Sequence, residues 1–233
     1  MKKLLVSDYD ETFHITREGL SENIESVKRF REAGNIFVIA TGRSYMDFKW
    51  LEETFGIEYD LLILDHGALI VDVESAILHM DIIPREVLSE MENMLRLDRT
   101  KRYFCTSGYE GRVPFDAENI QKINVWYNTE EETAEILEIL KTKYADVVNA
   151  HLIPPESIEI IPTGSGKEVA VEWVMERFGV SPENVYTVGD GYTDIEMVKK
   201  YKGYAVKKCV PELKEVALGE IESVTELIEK IMR

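Results

Sequence analysis

Short apolar runs alternate with helix-like segments through the first third of the chain. Three of these runs have the composition of buried strands: residues 3–7, 36–40 and 61–64. One helical face lies between the first two runs and is formed by Ile24, Val27, Phe30 and Ala33. We expect Ser21 to cap this helix, Gly34 to end it and Ser44 to cap the next one. The alternation predicts an α/β fold, with a parallel sheet and helices on its faces.

The same alternation returns in the last third of the chain. The predicted elements are a helix over 167–178, a strand over 185–188, a short helix over 195–201, a strand over 204–206 and a last helix. Gly179 lies just past the first of these helices, and Ser223 can cap the last one. Both ends of the chain therefore contribute to one α/β core.

The middle of the chain, between about residue 82 and residue 160, follows another pattern. It contains two helical stretches and two strand-like runs: residues 85–97, 130–144, 122–127 and 157–161. Proline and glycine divide it into short segments. This pattern predicts a small α+β domain inserted into the core.

Charge and cysteine usage limit the partners and the compartment. The 44 acidic and 27 basic residues give a net charge of -17, which repels nucleic acid and anionic lipid. A phosphate-bearing substrate must then be attracted by local positive groups. Cys105 and Cys209 lie far apart, without metal-ligand spacing, and are expected to be reduced.

The N-terminus resembles the start of a signal peptide, but Asp8 and Asp10 come too early for an apolar core. No run approaches the roughly 20 apolar residues that span a bilayer. We expect a cytoplasmic protein that does not bind membranes.

Two aspartates follow the first predicted strand, in residues 8–12, DYDET. Ligands of open α/β sheets bind at the carboxyl ends of strands, where Asp8 could attack an electrophile while Asp10 handles a proton. The alternative is an acidic turn.

After the second strand, Thr41 and Gly42 can hold a phosphate oxygen near the positive end of the helix that Ser44 caps. The alternative here is an ordinary βα turn.

Asp190 and Asp194 lie in residues 189–194, GDGYTD, after another predicted strand. If that strand neighbours the first, four carboxylates converge, and a phosphate could join them only with a cation, for which hard oxygen ligands indicate Mg²⁺. A solvated acidic loop is the alternative.

Lys167 opens a helix after a glycine-rich turn, where it can neutralise a phosphoryl oxygen or pair with a carboxylate. A surface lysine is the alternative. The turn is not a P-loop, because that motif needs glycine at 161 and serine or threonine at 168, where this chain has Ile161 and Glu168.

Taken together, the four motifs resemble those of haloacid dehalogenase-like hydrolases. DYDET is similar to DxDGT, residues 41–43 (TGR) to the second motif, Lys167 to the third, and GDGYTD to the fourth. The insertion resembles the type-C2 cap of the Cof-like branch, which contains phosphatases and phosphomutases. The resemblance implies a Rossmann-like core formed by residues 1–81 and 161–233, with a cap formed by residues 82–160.

The resemblance also implies roles for the motif residues. Asp8 would form an aspartyl phosphate, and Asp10 would act as general acid and base. Mg²⁺ would be bound by the Asp8 carboxylate, the Asp10 carbonyl and Asp190. The phosphoryl group would contact Thr41, Gly42 and Lys167, and Asp194 would support the metal or orient Lys167. The expected substrate is a small phosphorylated metabolite such as a sugar phosphate.

Three positions depart from the family pattern. Glu11 replaces a glycine, at a cost of roughly 1–2 kcal/mol if the backbone there has positive φ. Thr193 replaces an asparagine, and His66 stands where relatives often have asparagine. None removes an implied catalytic group, so we expect activity. A phosphomutase, a receiver-type signalling domain and a silent phosphate-binding protein remain alternatives.

Overall fold

The computed structural model describes residues 2–233, whose strands and helices follow the predicted alternation. The first part of the chain contains β1 Leu4–Asp8, α1 Arg17–Glu32, β2 Ile36–Ala40, α2 Tyr45–Phe55, β3 Leu61–Leu64, β4 Leu69–Asp72 and β5 Ile77–Met80. The middle contains α3 Arg85–Met94, β6 Arg102–Ser107, β7 Gly111–Val113, β8 Lys122–Trp126, α4 Glu130–Lys143, β9 Val148–Ile153 and β10 Ser157–Pro162. The last part contains α5 Lys167–Phe178, β11 Val185–Gly189, α6 Ile195–Lys200, β12 Lys202–Val206, α7 Pro211–Val216, β13 Glu220–Ile221 and α8 Val224–Met232.

An eight-stranded sheet forms the core, in the order β13-β12-β11-β1-β2-β3-β4-β5. The strands from β13 to β3 are parallel, and β4 and β5 add an antiparallel edge. Every residue of β1, β2 and β3 is buried, because helices cover both faces of the sheet. Leu5 and Phe37 pack with Val27 of α1 and Leu227 of α8 on one face, and side chains of α5 pack on the other.

A second, five-stranded sheet is antiparallel and has the order β7-β6-β8-β10-β9. Its two faces differ because side chains alternate along a strand. Cys105, Ile123 and Ile158 lie on one face and pack against buried residues of α3 and α4, such as Met91 and Ile136. The other face carries polar and aromatic side chains.

The predicted fold class, a parallel α/β core with an inserted α+β unit, is confirmed. The cap boundaries remain a proposal, and β10 continues to Pro162, just past the predicted end at 160.

The first helix begins earlier than expected, since Thr16 and not Ser21 is its N-cap and accepts a hydrogen bond from the Gly19 N–H at 3.0 Å. The apolar periodicity conceals this start, because the first buried helical side chain is Leu20. Among residues 2–233, no helix combines the length and apolar character of a membrane span.

Glu11 has φ = 57°, the conformation that the glycine usual at this position adopts readily. A glutamate there costs roughly 1–2 kcal/mol. Its side chain reaches solvent, where Lys208 donates to Oε2 at 3.4 Å. The replacement therefore affects the turn after β1 rather than the group at its end.

Candidate active site

Three of the predicted motifs meet at one edge of the core sheet. Parallel pairing of β1 with both β2 and β11 aligns Asp8 with Ala40 and Ser7 with Val188. The carboxyl ends of these strands therefore lie side by side. Thr41 follows β2 directly and Asp190 follows β11, so both lie beside Asp8.

Lys167 is the buried cation of this edge. Its Nζ lies 2.6 Å from Asp8 Oδ1 and 2.6 Å from Asp194 Oδ1, and its side chain is 2% exposed. Burial alone lowers the pKa of Lys167, but the charges of Asp194 and Asp8 outweigh burial and raise this pKa above its ordinary value. Lys167 is therefore a fixed positive charge at the end of β1.

Asp194 holds two parts of the site in place: Lys167 and the loop after β11. Its Oδ2 accepts hydrogen bonds from the N–H groups of Asp190 at 3.1 Å and Gly191 at 2.9 Å. The same carboxylate thus orients the lysine through one oxygen and the loop through the other.

The carboxylates of Asp8, Asp190 and Asp194 can share one cation. One oxygen from each lies within 4.8 Å of the others. Burial raises the pKa of Asp8 well above its usual range, with Lys167 acting against this rise. Burial also raises the pKa of Asp190 to about 6, although Thr12 donates to its Oδ1 at 2.6 Å. One lysine leaves this cluster negative, so its hard oxygen donors fit a divalent cation such as Mg²⁺.

Asp10 lies in the same cavity but outside this cluster. Arg43 binds its carboxylate through two hydrogen bonds, Nε to Oδ2 at 2.8 Å and an Nη to Oδ1 at 2.6 Å. Of the four carboxylates that the sequence brings to this edge, three therefore converge and one is held apart. The sequence predicted no role for Arg43, and its bidentate ion pair with Asp10 is visible only in the structure.

The turn after β2 is tied to its neighbours on two sides. The Thr41 N–H donates to Ile63 O at 2.9 Å, and Thr41 Oγ1 accepts from the Arg43 N–H at 3.2 Å. Ser44 caps α2 as predicted, accepting from the Asp47 N–H. A Cβ at Gly42 would overlap the imidazole of His66, so this position needs glycine even without a ligand.

Sequence reasoning missed a buried charged network that joins the second sheet to this turn. Lys122 on β8 donates from Nζ to the carbonyl of Gly42 and forms an ion pair with Asp65 at 3.2 Å. Both side chains are almost fully buried. The lysine opens an alternating run in which polar and apolar side chains point to opposite faces, and that alternation was the available signal.

His66 and Glu159 form a second contact of the same kind. His66 Nε2 lies 2.5 Å from Glu159 Oε2, and Asn124 donates to Oε1 at 2.7 Å. The surroundings of Glu159 exclude much of the solvent, which raises the pKa of this carboxyl, but His66 outweighs this effect and holds the pKa well below its usual range. His66 belongs to a turn, as expected, and is also buried, with φ = 56°.

A cavity of about 770 Å³ opens between the two sheets over these residues. On the core side it is lined by Asp8, Asp10, Gly42, Lys167, Asp190, Thr193 and Asp194, among others. On the side of the second sheet it is lined by Arg102, Phe104, Arg112, Lys122, Asn124 and Trp126, among others. The arrangement offers a buried carboxylate, a fixed lysine and a cation site facing a space large enough for a small metabolite.

Comparison with known proteins agrees with this arrangement. A family model of haloacid dehalogenase-like hydrolases matches residues 5–111 and 99–227. The chain is 26% identical over 222 residues to the 5-amino-6-(5-phospho-D-ribitylamino)uracil phosphatase of Bacillus subtilis, covering 92% of this chain and 88% of that relative.

Solved structures show the same fold. A haloacid dehalogenase-like hydrolase from Bacteroides thetaiotaomicron has a TM-score of 0.81 at 21% identity, covering 99% of this chain and 100% of that one. Another from Bacillus subtilis has a TM-score of 0.83 at 16% identity, covering 97% and 99%. Both similarities extend over the core and the second sheet together.

The buried pair of Lys122 and Asp65 predicts a large stability loss on removal of the lysine. Lys122→Met leaves a buried carboxylate without its cation and should lower the free energy of unfolding by roughly 3 kcal/mol. Urea denaturation at neutral pH measures this value. Lys101→Met is the matched control, because Lys101 pairs with Glu156 at an exposed site and should cost at most about 1 kcal/mol. Equal, small losses in both variants would contradict the assignment.

Proposed function

We infer that this chain, which belongs to the haloacid dehalogenase-like hydrolase family, is a phosphatase that transfers the phosphoryl group of a small metabolite to Asp8 and then to water. The observation that carries this proposal is the position of Asp8. It ends β1 at the floor of the cavity, 2.6 Å from the buried ammonium of Lys167 and beside the turn that contains Thr41 and Gly42. A nucleophile, a cation and backbone donors for a phosphoryl group are thus adjacent.

In the first step, a carboxylate oxygen of Asp8 attacks phosphorus, and the bond to the ester oxygen breaks. The departing oxygen takes a proton from Asp10. Lys167 and the hydroxyl and amides of the Thr41–Gly42 turn would contact the other phosphoryl oxygens. In the second step, water gives its proton to Asp10 and attacks the aspartyl phosphate, which releases phosphate and restores Asp8. Catalysis of this kind depends mainly on positioning and charge neutralisation.

The family's divalent cation fits beside these residues. We propose that the carboxylates of Asp8 and Asp190 and the carbonyl of Asp10 hold Mg²⁺, while Asp194 supports them through Lys167 and the loop amides. When bound, the ion would neutralise charge so that a phosphate dianion can approach the anionic Asp8.

Arg43 gives the proposed role of Asp10 a physical constraint. Arg43 occupies both oxygens of the Asp10 carboxyl, whereas a general acid must face the oxygen of the leaving group. An incoming phosphate dianion would compete with Asp10 for the guanidinium. Substrate binding would therefore release the Asp10 carboxyl from Arg43 so that it can face the leaving-group oxygen.

The substrate class follows from the cavity and the relatives. The volume of the cavity lies within the range of small-molecule binding sites. The Bacillus subtilis relative is named for a phosphorylated ribityl compound, which supports a sugar phosphate or similar metabolite here. We propose that residues 82–160 act as a cap that closes over the site and selects the leaving group.

Metal binding should appear as stabilisation that depends on Asp190. Because burial raises the pKa of Asp190 to about 6, the metal-free fold binds more protons than the unfolded chain. The contribution of Asp190 to the free energy of unfolding is therefore fully present below the ordinary aspartate pKa of about 3.9, and it is lost as the pH rises through 6. At pH values above about 7, Asp190→Asn should therefore raise the Tm of chelator-treated protein, and this gain should disappear below about pH 4.

Magnesium should raise the Tm of the wild type and leave that of Asp190→Asn nearly unchanged. Differential scanning calorimetry with and without Mg²⁺ measures both effects. Asp116→Asn, on the exposed surface of the second sheet's domain, is the control and should respond to Mg²⁺ like the wild type. An equal shift in all three proteins would argue against a site at Asp190.

The role of Asp10 predicts a dependence on the leaving group. Asp10→Asn should slow the hydrolysis of alkyl phosphates by ~100- to 10,000-fold, because their leaving oxygen needs a proton. An aryl phosphate such as p-nitrophenyl phosphate should be slowed much less. Values of kcat/KM for both substrates give the alkyl-to-aryl ratio. Arg43→Gln breaks the same ion pair but keeps the acid, so it should change this ratio little. The same ratio in wild type and Asp10→Asn would rule out the general-acid role.

A further inference from the structure

Two arginines of the second sheet face the cavity above the proposed phosphate site. Arg102 on β6 stacks on Trp126 of β8, with its guanidinium carbon 4.1 Å from the ring centroid. Arg112 on β7 stacks on Phe104 of β6 at 4.4 Å. The two rings lie 5.6 Å apart, and all four side chains line the cavity. A guanidinium that lies over an aromatic ring is attracted to the ring face, and its N–H groups can still donate to an anion.

These two arginines differ from the other cations of the cavity. Arg43, Lys122 and Lys167 each lie against a carboxylate at 3.2 Å or less. Within residues 2–233, Arg102 forms no ion pair, and Arg112 approaches only Asp47, at 3.9 Å, which is beyond hydrogen-bond distance. In a chain of net charge -17, two guanidiniums that line one cavity, one without an ion pair and one with only a long contact to Asp47, can bind an anion.

The length of β8 separates the two arginines from the Thr41–Gly42 turn, where the phosphoryl group is proposed to bind. Lys122 contacts Gly42 at one end of the strand, and Trp126 supports Arg102 at the other. Four residues of strand correspond to ~13 Å. Between them, Asn124 is buried and its Oδ1 has no hydrogen-bond partner, so it can accept from a hydroxyl group. A ligand that reaches both ends needs the length of a sugar.

We propose that Arg102 and Arg112 form a second anion subsite, and that the preferred substrates are sugar-sized phosphate monoesters carrying another anionic group, a phosphate or a carboxylate, at the end remote from the transferred phosphate. The inference rests on the proposed phosphatase activity and names the substrate class of that site. One anion would occupy the Asp8 end of the cavity and the other the arginine end, while the hydroxyl groups between them face Asn124.

Matched substrate pairs test this subsite. A hexose monophosphate is compared with its bisphosphate, and an aldose phosphate with the corresponding aldonic acid phosphate. For wild type, kcat/KM should be about tenfold to a hundredfold higher for the member with the second anion, the range of a charge-assisted hydrogen bond. If only one of the two pairs shows the increase, that pair identifies the anion as phosphate or carboxylate. Ethyl phosphate and phosphoglycolate form a short pair that should show little difference.

Substitution of the arginines should remove the preference. In Arg102→Met/Arg112→Met, the ratio within each sugar pair should fall to near one, and Lys101→Met, an exposed neighbour outside the cavity lining, should keep the wild-type ratio. Circular dichroism checks that the variants are folded. A wild-type ratio near one in both sugar pairs, an advantage in the short pair alone, or an unchanged ratio in the folded double variant overturns the subsite. Failure to hydrolyse any monoester, aryl phosphates included, would instead overturn the proposed function.

Discussion

The ammonium of Lys167 is the interaction on which the rest of the site depends, because two carboxylates from different strand ends share it. Asp8 and Asp194 could not remain buried and ionised side by side without a cation between them. Asp194 uses its second oxygen to hold the loop amides of Asp190 and Gly191. Lys167 therefore sets the positions of two carboxylates directly, and Asp194 holds the backbone of the residue that carries the third. The remaining negative charge creates the demand for a metal ion.

The turn that would hold the phosphoryl group is supported from both sheets. The core supplies the Thr41 and Ser44 hydrogen bonds, while Lys122 contacts the Gly42 carbonyl from the second sheet. His66 packs on Gly42 and pairs with Glu159, so a second charged contact crosses the same boundary. Under the proposed function, movement of residues 82–160 would shift the Thr41–Gly42 turn through these contacts, and recognition of the leaving group would be coupled to the positioning of phosphate.

Local signals in the sequence were sufficient for the core and for the four motifs. Strand–helix alternation and the Ser44 cap act over a few residues, and parallel pairing then brings Asp8 and Asp190 together. The network of Lys122, Asp65, His66 and Glu159 could not be found in this way, because it joins residues up to 93 positions apart on two sheets. The pairing of Asp10 with Arg43 was missed for another reason: both residues follow strands of the core sheet, but each alone has many possible partners.

Trapping the covalent intermediate tests the central claim most directly. Wild-type protein is mixed with Mg²⁺ and a substrate radiolabelled in its phosphate, quenched in acid within the first turnover and digested for peptide mapping. We expect the label on the peptide that contains Asp8, its release by hydroxylamine as for an acyl phosphate, and its absence in Asp8→Asn. Label on a serine or histidine peptide, or full turnover by folded Asp8→Asn, would contradict the account.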